Sequence, residues 1–193
     1  MTTRDARVCV VDHHDSYTWN LVHLVAEVTG AMPTVVQHDE VLAAEVLGGG
    51  FSHLVLSPGP GTPEDPADFA VGRELLLTAT VPVLGVCLGM QGLVSTYGGH
   101  VGVVEPAHGD VVAVEHDGHP MFAGIPSPFQ AVRYHSLAAL RLPDDLVTTA
   151  TCAGPVVMGV AHSSRPLWGV QFHPESVLTQ HGARLVANFL DLT

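Results

Sequence analysis

Residues 7–28 read RVCVVDHHDSYTWNLVHLVAEV, and this stretch decides the fold class. Residues 7–12 form a brief apolar run, rich in β-branched side chains and closed by a carboxylate, which is how a buried strand reads. From residue 17 to 28 the period changes: Trp19, Val22, Val25 or Ala26, and Val28 recur at roughly three-residue steps, the spacing of an amphipathic helix. Asp15 or Ser16 stands where an N-cap is needed. A buried strand passing through a short polar turn into a helix is the first half of a βαβ unit.

The alternation continues outward from there. Residues 33–37, 53–57 and 81–86 read as further strands, and 41–47 and 69–78 as helices. Short connections between them imply right-handed crossovers, hence an α/β fold with a mostly parallel open sheet flanked by helices. After Gly98-Gly99 the pattern shifts. Extended runs at 101–104, 111–116, 131–135, 146–151, 156–162 and 167–172 are separated by Asp-Gly, Gly-Ile-Pro-Ser-Pro, Pro-Asp-Asp and Ala-Gly-Pro turns. Such spacing predicts hairpins, so an antiparallel β extension is expected in the second half, with a closing helix over 181–190. No repeat, low-complexity tract or compositional break marks a linker, and a single domain over 1–193 is expected.

Composition narrows the function classes. A hydrophobic share of 47% against 13% charged residues, where roughly 25% charged is usual, describes a core-rich folded chain. No Lys is present, and seven Arg against nineteen Asp and Glu leave a net charge of −12. That balance is poor for neutralising phosphates, so no nucleic acid is expected as a partner. The longest apolar run, 81–94, is interrupted by Pro82 and three glycines and falls short of the roughly 18 residues that span a bilayer, so no membrane partner is expected either. The apolar stretch at Val8 to Val11 is too short for a signal-peptide core. Three widely spaced cysteines, Cys9, Cys87 and Cys152, make no disulfide framework, and a cytoplasmic location is expected.

Three segments carry chemistry. Gly85-Val86-Cys87-Leu88-Gly89 lies where a strand runs into a helix and has the form of a nucleophile elbow with Cys in place of Ser. The helix N-terminus at Leu88 favours a thiolate at Cys87, whereas Cys9 and Cys152 read as inert core thiols. His173-Pro174-Glu175 follows the apolar run 167–172, at what reads as a strand end, where residues two apart share a side. There the carboxylate can hold one imidazole nitrogen while the other faces a nucleophile. The loop Ser57-Pro58-Gly59-Pro60-Gly61-Thr62-Pro63 follows a strand directly. Pro60 has no amide proton, so an oxyanion donor in it must be the amide of Gly59 or Gly61, acting beside that of Leu88. Thirteen histidines invite a metal reading. His116 and His119 bracket an Asp-Gly turn and His13 and His14 are adjacent, yet no His-x-x-x-His or Cys-x-x-Cys appears, and no metal is expected in this chain.

Taken together, GVCLGMQ at 85–91, SPGPGTP at 57–63 and GVQFHPES at 169–176 resemble the nucleophile, oxyanion and His/Glu motifs of the class I, triad-type glutamine amidotransferases. Within that family VVDHHDSYTWNLVHLV at 10–25, AHGD at 107–110 and FAGIPSPFQAVRYHSL at 122–137 are similar to the glutaminase components of anthranilate synthase and aminodeoxychorismate synthase. The resemblance implies that Cys87 attacks the side-chain amide of L-glutamine, that His173 oriented by Glu175 shuttles protons, and that water releases glutamate from a thioester. It further implies that Gly59 and Leu88 stabilise the oxyanion and that Gly59, Pro60, Gly61, Gln91, Ser136 and Leu137 contact the glutamine. Ammonia is then expected to pass to a chorismate-binding synthase subunit on a separate chain, which also holds the Mg²⁺; no cofactor is expected in this chain. The family commonly has Asp-Asn-Tyr-Asp-Ser where this sequence has Asp12-His13-His14-Asp15-Ser16, and Lys where it has Asp110.

Two other readings stay open from the residues: a catalytically silent amidotransferase-like scaffold, against which the intact Cys87, His173 and Glu175 argue, and a Cys hydrolase of another elbow-bearing family. The motifs fill the chain from Val10 to Ser176, so the ammonia-consuming domain is expected elsewhere. The acid excess suggests that this partner presents a basic surface.

Overall fold

Strand β1 (Val8–Asp12) is buried along its whole length at the heart of the computed structural model, which describes residues 5–154 and 156–192. Its alternating side chains divide the core. Val8 and Val10 face a cluster that includes Leu21, Val22 and Val25 of helix α1 (Thr18–Thr29), while Cys9 and Val11 face the opposite cluster. A strand buried on both faces by this two-residue period requires helices on both sides of the sheet.

The remaining first-half elements follow the expected order: β2 (Thr34–Gln37), α2 (Ala43–Gly48), β3 (His53–Leu56), α3 (Pro66–Thr78), β4 (Val83–Val86) and α4 (Leu88–Thr96). Helix α3 begins three residues earlier than its apolar pattern indicates, because Asp65 accepts a hydrogen bond from the Ala67 amide and Pro66 fits the first helical position. The start of α1 departs from expectation. Neither Asp15 nor Ser16 is its cap; Tyr17 is, with no side-chain cap bond. Asp15 instead shapes the preceding turn, its Oδ1 accepting from the Tyr17 amide at 2.7 Å.

Trp19 also departs, being 53% exposed. Thr18 donates its hydroxyl to Asp12 Oδ1 at 2.8 Å. With Thr18 pulled inward, Leu21, Val22 and Val25 complete the buried stripe and the next residue, about 100° round the helix, turns to solvent.

The second half comprises β5 (His100–Val103), β6 (Asp110–His116), β7 (Phe129–Arg133), β8 (Leu137–Arg141), β9 (Leu146–Cys152), β10 (Val156–His162), β11 (Leu167–Val170) and α5 (Gly182–Asp191), which packs beside α1. Nine strands form one sheet in the order β2-β1-β3-β4-β11-β10-β9-β6-β7, and β5 pairs with β8 apart from it. The pairings from β10 to β7 are antiparallel, as expected. Strand β11 corrects that reading. It is antiparallel to β10 on one side but parallel to β4 on the other, with Gly169 opposite Gly85 and Val170 opposite Val86. Its fully buried run LWGV carries no sign of direction, because both faces are covered. Strand β8 is a further addition, since LAALR lacks the β-branched residues that announce a strand.

Candidate active site

Three neighbouring parallel strands, β3, β4 and β11, deliver the three motifs to one end of the sheet. Ligand crevices of open α/β sheets form there, beyond the carboxyl ends of the strands. The 57–63 loop leaves β3, Cys87 leaves β4, and 171–176 leaves β11.

Cys87 is the N-cap of α4, at φ 52° and ψ −101°. A non-glycine residue at positive φ is strained by about 1–3 kcal/mol, which the surroundings must offset. They do so by fixing both sides of the residue. The Cys87 amide donates to Val170 O at 2.8 Å, and its carbonyl accepts from the Gln91 amide at 3.0 Å. The flanking glycines are steric necessities: a Cβ on Gly85 would lie 2.4 Å from the Gly89 carbonyl oxygen, and one on Gly89 would lie 2.4 Å from the Leu56 carbonyl oxygen.

His173 and Glu175 lie beyond the end of β11, in a turn rather than on a strand. The same-side rule for strands therefore does not bring them together. The turn does, placing His173 Nδ1 2.6 Å from Glu175 Oε1 with both side chains out of solvent. His173 Nε2 is buried without a partner in regular hydrogen-bond geometry, yet the Cys87 thiol is close enough to act on it. Burial pulls the His173 pKa down, but hydrogen bonding and charge from Cys87 and Glu175 outweigh this and push it up to about 10. An imidazole held by a carboxylate on one nitrogen, with a thiol near enough to raise its pKa, has the make-up of a nucleophile, base and orienting acid. The other two cysteines differ: burial pushes the Cys9 thiol up to about 12 and raises that of Cys152 as well.

The structure also brings together the two segments read as oxyanion donors. A Cβ on Gly59 would meet Leu88 Cδ2 at 2.5 Å and His13 Cβ at 2.6 Å, so the loop backbone touches the start of α4 only because residue 59 has no side chain. Pro60 and Gly61 are exposed beside it, and the Thr62 amide ties the loop to α3 by donating to Asp68 Oδ2 at 2.9 Å. Gln91 is buried and donates to Leu137 O at 2.9 Å and to Gln171 Oε1 at 3.2 Å. Its amide nitrogen thus joins α4 to the start of β8. Ser136 is exposed next to Leu137, and its carbonyl accepts from the Val104 amide at 2.9 Å.

Three residues of this neighbourhood have no role in the sequence reading. Gln171 is fully buried, and its Nε2 donates to Cys87 Sγ at 3.5 Å. The signal for it was a lone amide inside the apolar run 167–172. Tyr17 and Tyr134 stack at 5.0 Å and each meets the His173 ring edge-on, at 5.7 and 5.2 Å. With Glu175 and Ser176 they line an open cavity of about 460 Å³. Nothing in the spacing of residues 17, 134 and 173 foretells that cluster.

The chain resembles known proteins along nearly its whole length. The family profile described as Glutamine amidotransferase class-I matches residues 9–192. The chain is 48% identical over 188 residues to an aminodeoxychorismate synthase of Streptomyces griseus, covering 97% of this chain but only 26% of that protein. It is 40% identical to an anthranilate synthase component 2 of Methanothermobacter marburgensis, over 95% of this chain and 97% of that one. It thus spans about a quarter of the first relative and nearly all of the second. Among solved structures, a protein of Thermoplasma acidophilum described as belonging to a GMP synthase superposes with a TM-score of 0.86 at 27% identity, covering 96% of this chain and 92% of that one. With a family match over almost its whole length and a full-length relative at this identity, the chain belongs to the class I glutamine amidotransferases.

Proposed function

We propose that this chain is a glutaminase subunit that hydrolyses L-glutamine through Cys87, His173 and Glu175 and passes the ammonia to a chorismate-utilising synthase subunit. The observation that carries the reading is a strained, helix-capping Cys87 at the end of β4, beside the paired strand β11 that leads into the buried His173–Glu175 pair. The Cys87 thiolate adds to the side-chain carbonyl carbon of glutamine, and the amides of Gly59 and Leu88 stabilise the oxyanion. His173 carries the thiol proton to the departing nitrogen, so the C–N bond breaks and ammonia leaves a γ-glutamyl thioester. Water, deprotonated by the same imidazole, then cleaves the C–S bond and releases glutamate with the thiol restored. Glu175 holds the imidazole tautomer throughout. Pro60, Gly61, Gln91, Ser136 and Leu137 shape the glutamine pocket, Gln91 by fixing Leu137 through its carbonyl.

The partner part of the reading rests on the relatives' names, aminodeoxychorismate synthase and anthranilate synthase component 2. The full-length match to the latter supports a synthase on a separate chain; the Mg²⁺ assigned to that partner is part of the proposal and rests on the family resemblance alone. Val177, 98% exposed, and Leu178 border the cavity next to Glu175 and offer an apolar contact. The net charge of −12 suits a basic partner surface.

The test pairs the chain with its synthase and supplies chorismate with either glutamine or ammonium. Cys87→Ala is expected to abolish glutamine-dependent product and spare ammonium-dependent product. Glutamine use retained by that variant would refute the assignment.

A further inference from the structure

His13 and His14 replace the Asn-Tyr usual in this family, and only part of the pair is absorbed by the site above. His38 and Asp39 directly follow β2, and the His38 amide is fastened to the end of β1 by donating to Asp12 O at 3.0 Å. This brings both residues against His14. His14 Nε2 lies 2.9 Å from Asp39 Oδ1, and a ring nitrogen of His38 completes a set of three ligand atoms within 4.8 Å of one another. Among the described residues this is where three such groups converge.

A second observation points the same way. His38 is 5% exposed, and its Nδ1 is buried with no hydrogen-bond partner. Other buried ring nitrogens, of His13, His53, His135 and His173, also lack a partner, but the His38 ring is set apart from them by its place with a second imidazole and a carboxylate in one cluster of three ligand groups, where a bound cation satisfies all three. Two ligands on one ion at about 2 Å each are at most about 4 Å apart, a span that small ring rotations reach from here.

We propose that His14, His38 and Asp39 bind one divalent transition-metal ion of the zinc type, with the fourth position open to water. Two imidazoles and one carboxylate suit Zn²⁺ or Co²⁺, whereas Mg²⁺ and Ca²⁺ prefer all-oxygen shells. The site is joined to the nucleophile's surroundings through His13, which stacks on His38 at 5.0 Å, donates its amide to Ser57 Oγ at 2.9 Å and presses its Cβ against Gly59. An ion there braces the turn on which the 57–63 loop leans.

Binding is measured on the full chain without glutamine, so its outcome is independent of the glutaminase reading. After chelator treatment, equilibrium dialysis against Zn²⁺, and Co²⁺ titration followed by visible absorption, are expected to give one ion per chain and a tetrahedral-type spectrum. His14 and Asp39 are half exposed, at 50% and 54%, so His14→Ala and Asp39→Ala keep the core intact. Each is expected to weaken binding by about 100-fold or more and to remove the metal-dependent rise in melting temperature, while the exposed-site control His100→Ala changes neither. Failure of the wild-type chain to bind stoichiometrically, or unchanged affinity in both variants, overturns the proposal.

Discussion

His173 Nδ1 and Glu175 Oε1 lie 2.6 Å apart across a single proline, with side chains 2% and 0% exposed. So close a contact, sealed from water, fixes both the tautomer and the angle of the ring. Glu175→Gln keeps the shape and removes the charge. It is expected to lower kcat for glutamine by up to about 10⁴-fold, the loss seen when the triad acid of a serine protease is neutralised, with KM little changed and the circular dichroism spectrum intact. Steady-state kinetics of glutamate release would measure it; a loss below tenfold would deny Glu175 an orienting role.

The three buried cysteines differ in their surroundings, and a glutamine-mimicking chloroketone should tell them apart. Cys87 is expected to be alkylated selectively, because Cys9, pushed up to about 12 by burial, holds no thiolate at neutral pH. Peptide mass spectrometry of the labelled protein reads the site directly. Comparable adducts on Cys9 or Cys152 would contradict the assignment.

Stability is expected to fall on acidification. Burial, with the neighbouring charges of His38 and His14, lowers the His13 pKa from 6.5 to about 3, and burial with Arg133 lowers that of His135 to about 4. The unfolded chain takes up these protons below about pH 6.5 and the folded chain does not, so their share of stability is present above 6.5 and lost as pH falls towards 4. Each group contributes a slope of up to ~1.4 kcal/mol per pH unit. His173 acts oppositely: its folded pKa near 10 makes its contribution complete below 6.5 and lost as pH rises through 10. Urea unfolding across pH 4.5–9 should therefore peak near neutrality, and His135→Gln should flatten the acid limb. An acid limb unchanged by that substitution would rule His135 out as a cause.

Gly89→Ala places a methyl carbon 2.4 Å from the Leu56 carbonyl oxygen, a backbone atom that cannot swing away. Overpacking of this kind costs about 1–3 kcal/mol, and it separates β3 from α4 where the 57–63 loop meets Leu88. Reduced midpoints in denaturant together with reduced glutaminase activity are expected. Wild-type stability in this variant would show that the close approach is not required.

Much of this was legible because strand and helix periods are local. The first four strands and the elbow at Cys87 follow from apolar runs and glycine spacing, and the 57–63 loop is recognisable because prolines and glycines announce it. Trp19 was misplaced because one hydrogen bond, from Thr18 to Asp12, rotates the helix face in a way that hydrophobicity does not encode. Strand β8 stayed hidden because its Leu-Ala-Ala-Leu run owes its extended form to pairing with β5. The His173–Glu175 pairing was anticipated for a reason that does not apply, since a turn makes it. Gln171, Tyr17 and Tyr134 gather round the site only through tertiary packing.

The insertion of β11 between β4 and β10 bears on when the protein becomes competent. Gln171 and Cys87 touch across 84 positions of chain, and the intervening residues include the whole antiparallel half. Closing so long a loop is entropically late among folding events. On the proposed reading, the Cys87 thiol therefore meets its base only after β11 and the turn that follows it have been made and docked, and a chain that still lacks them carries the thiol without the imidazole.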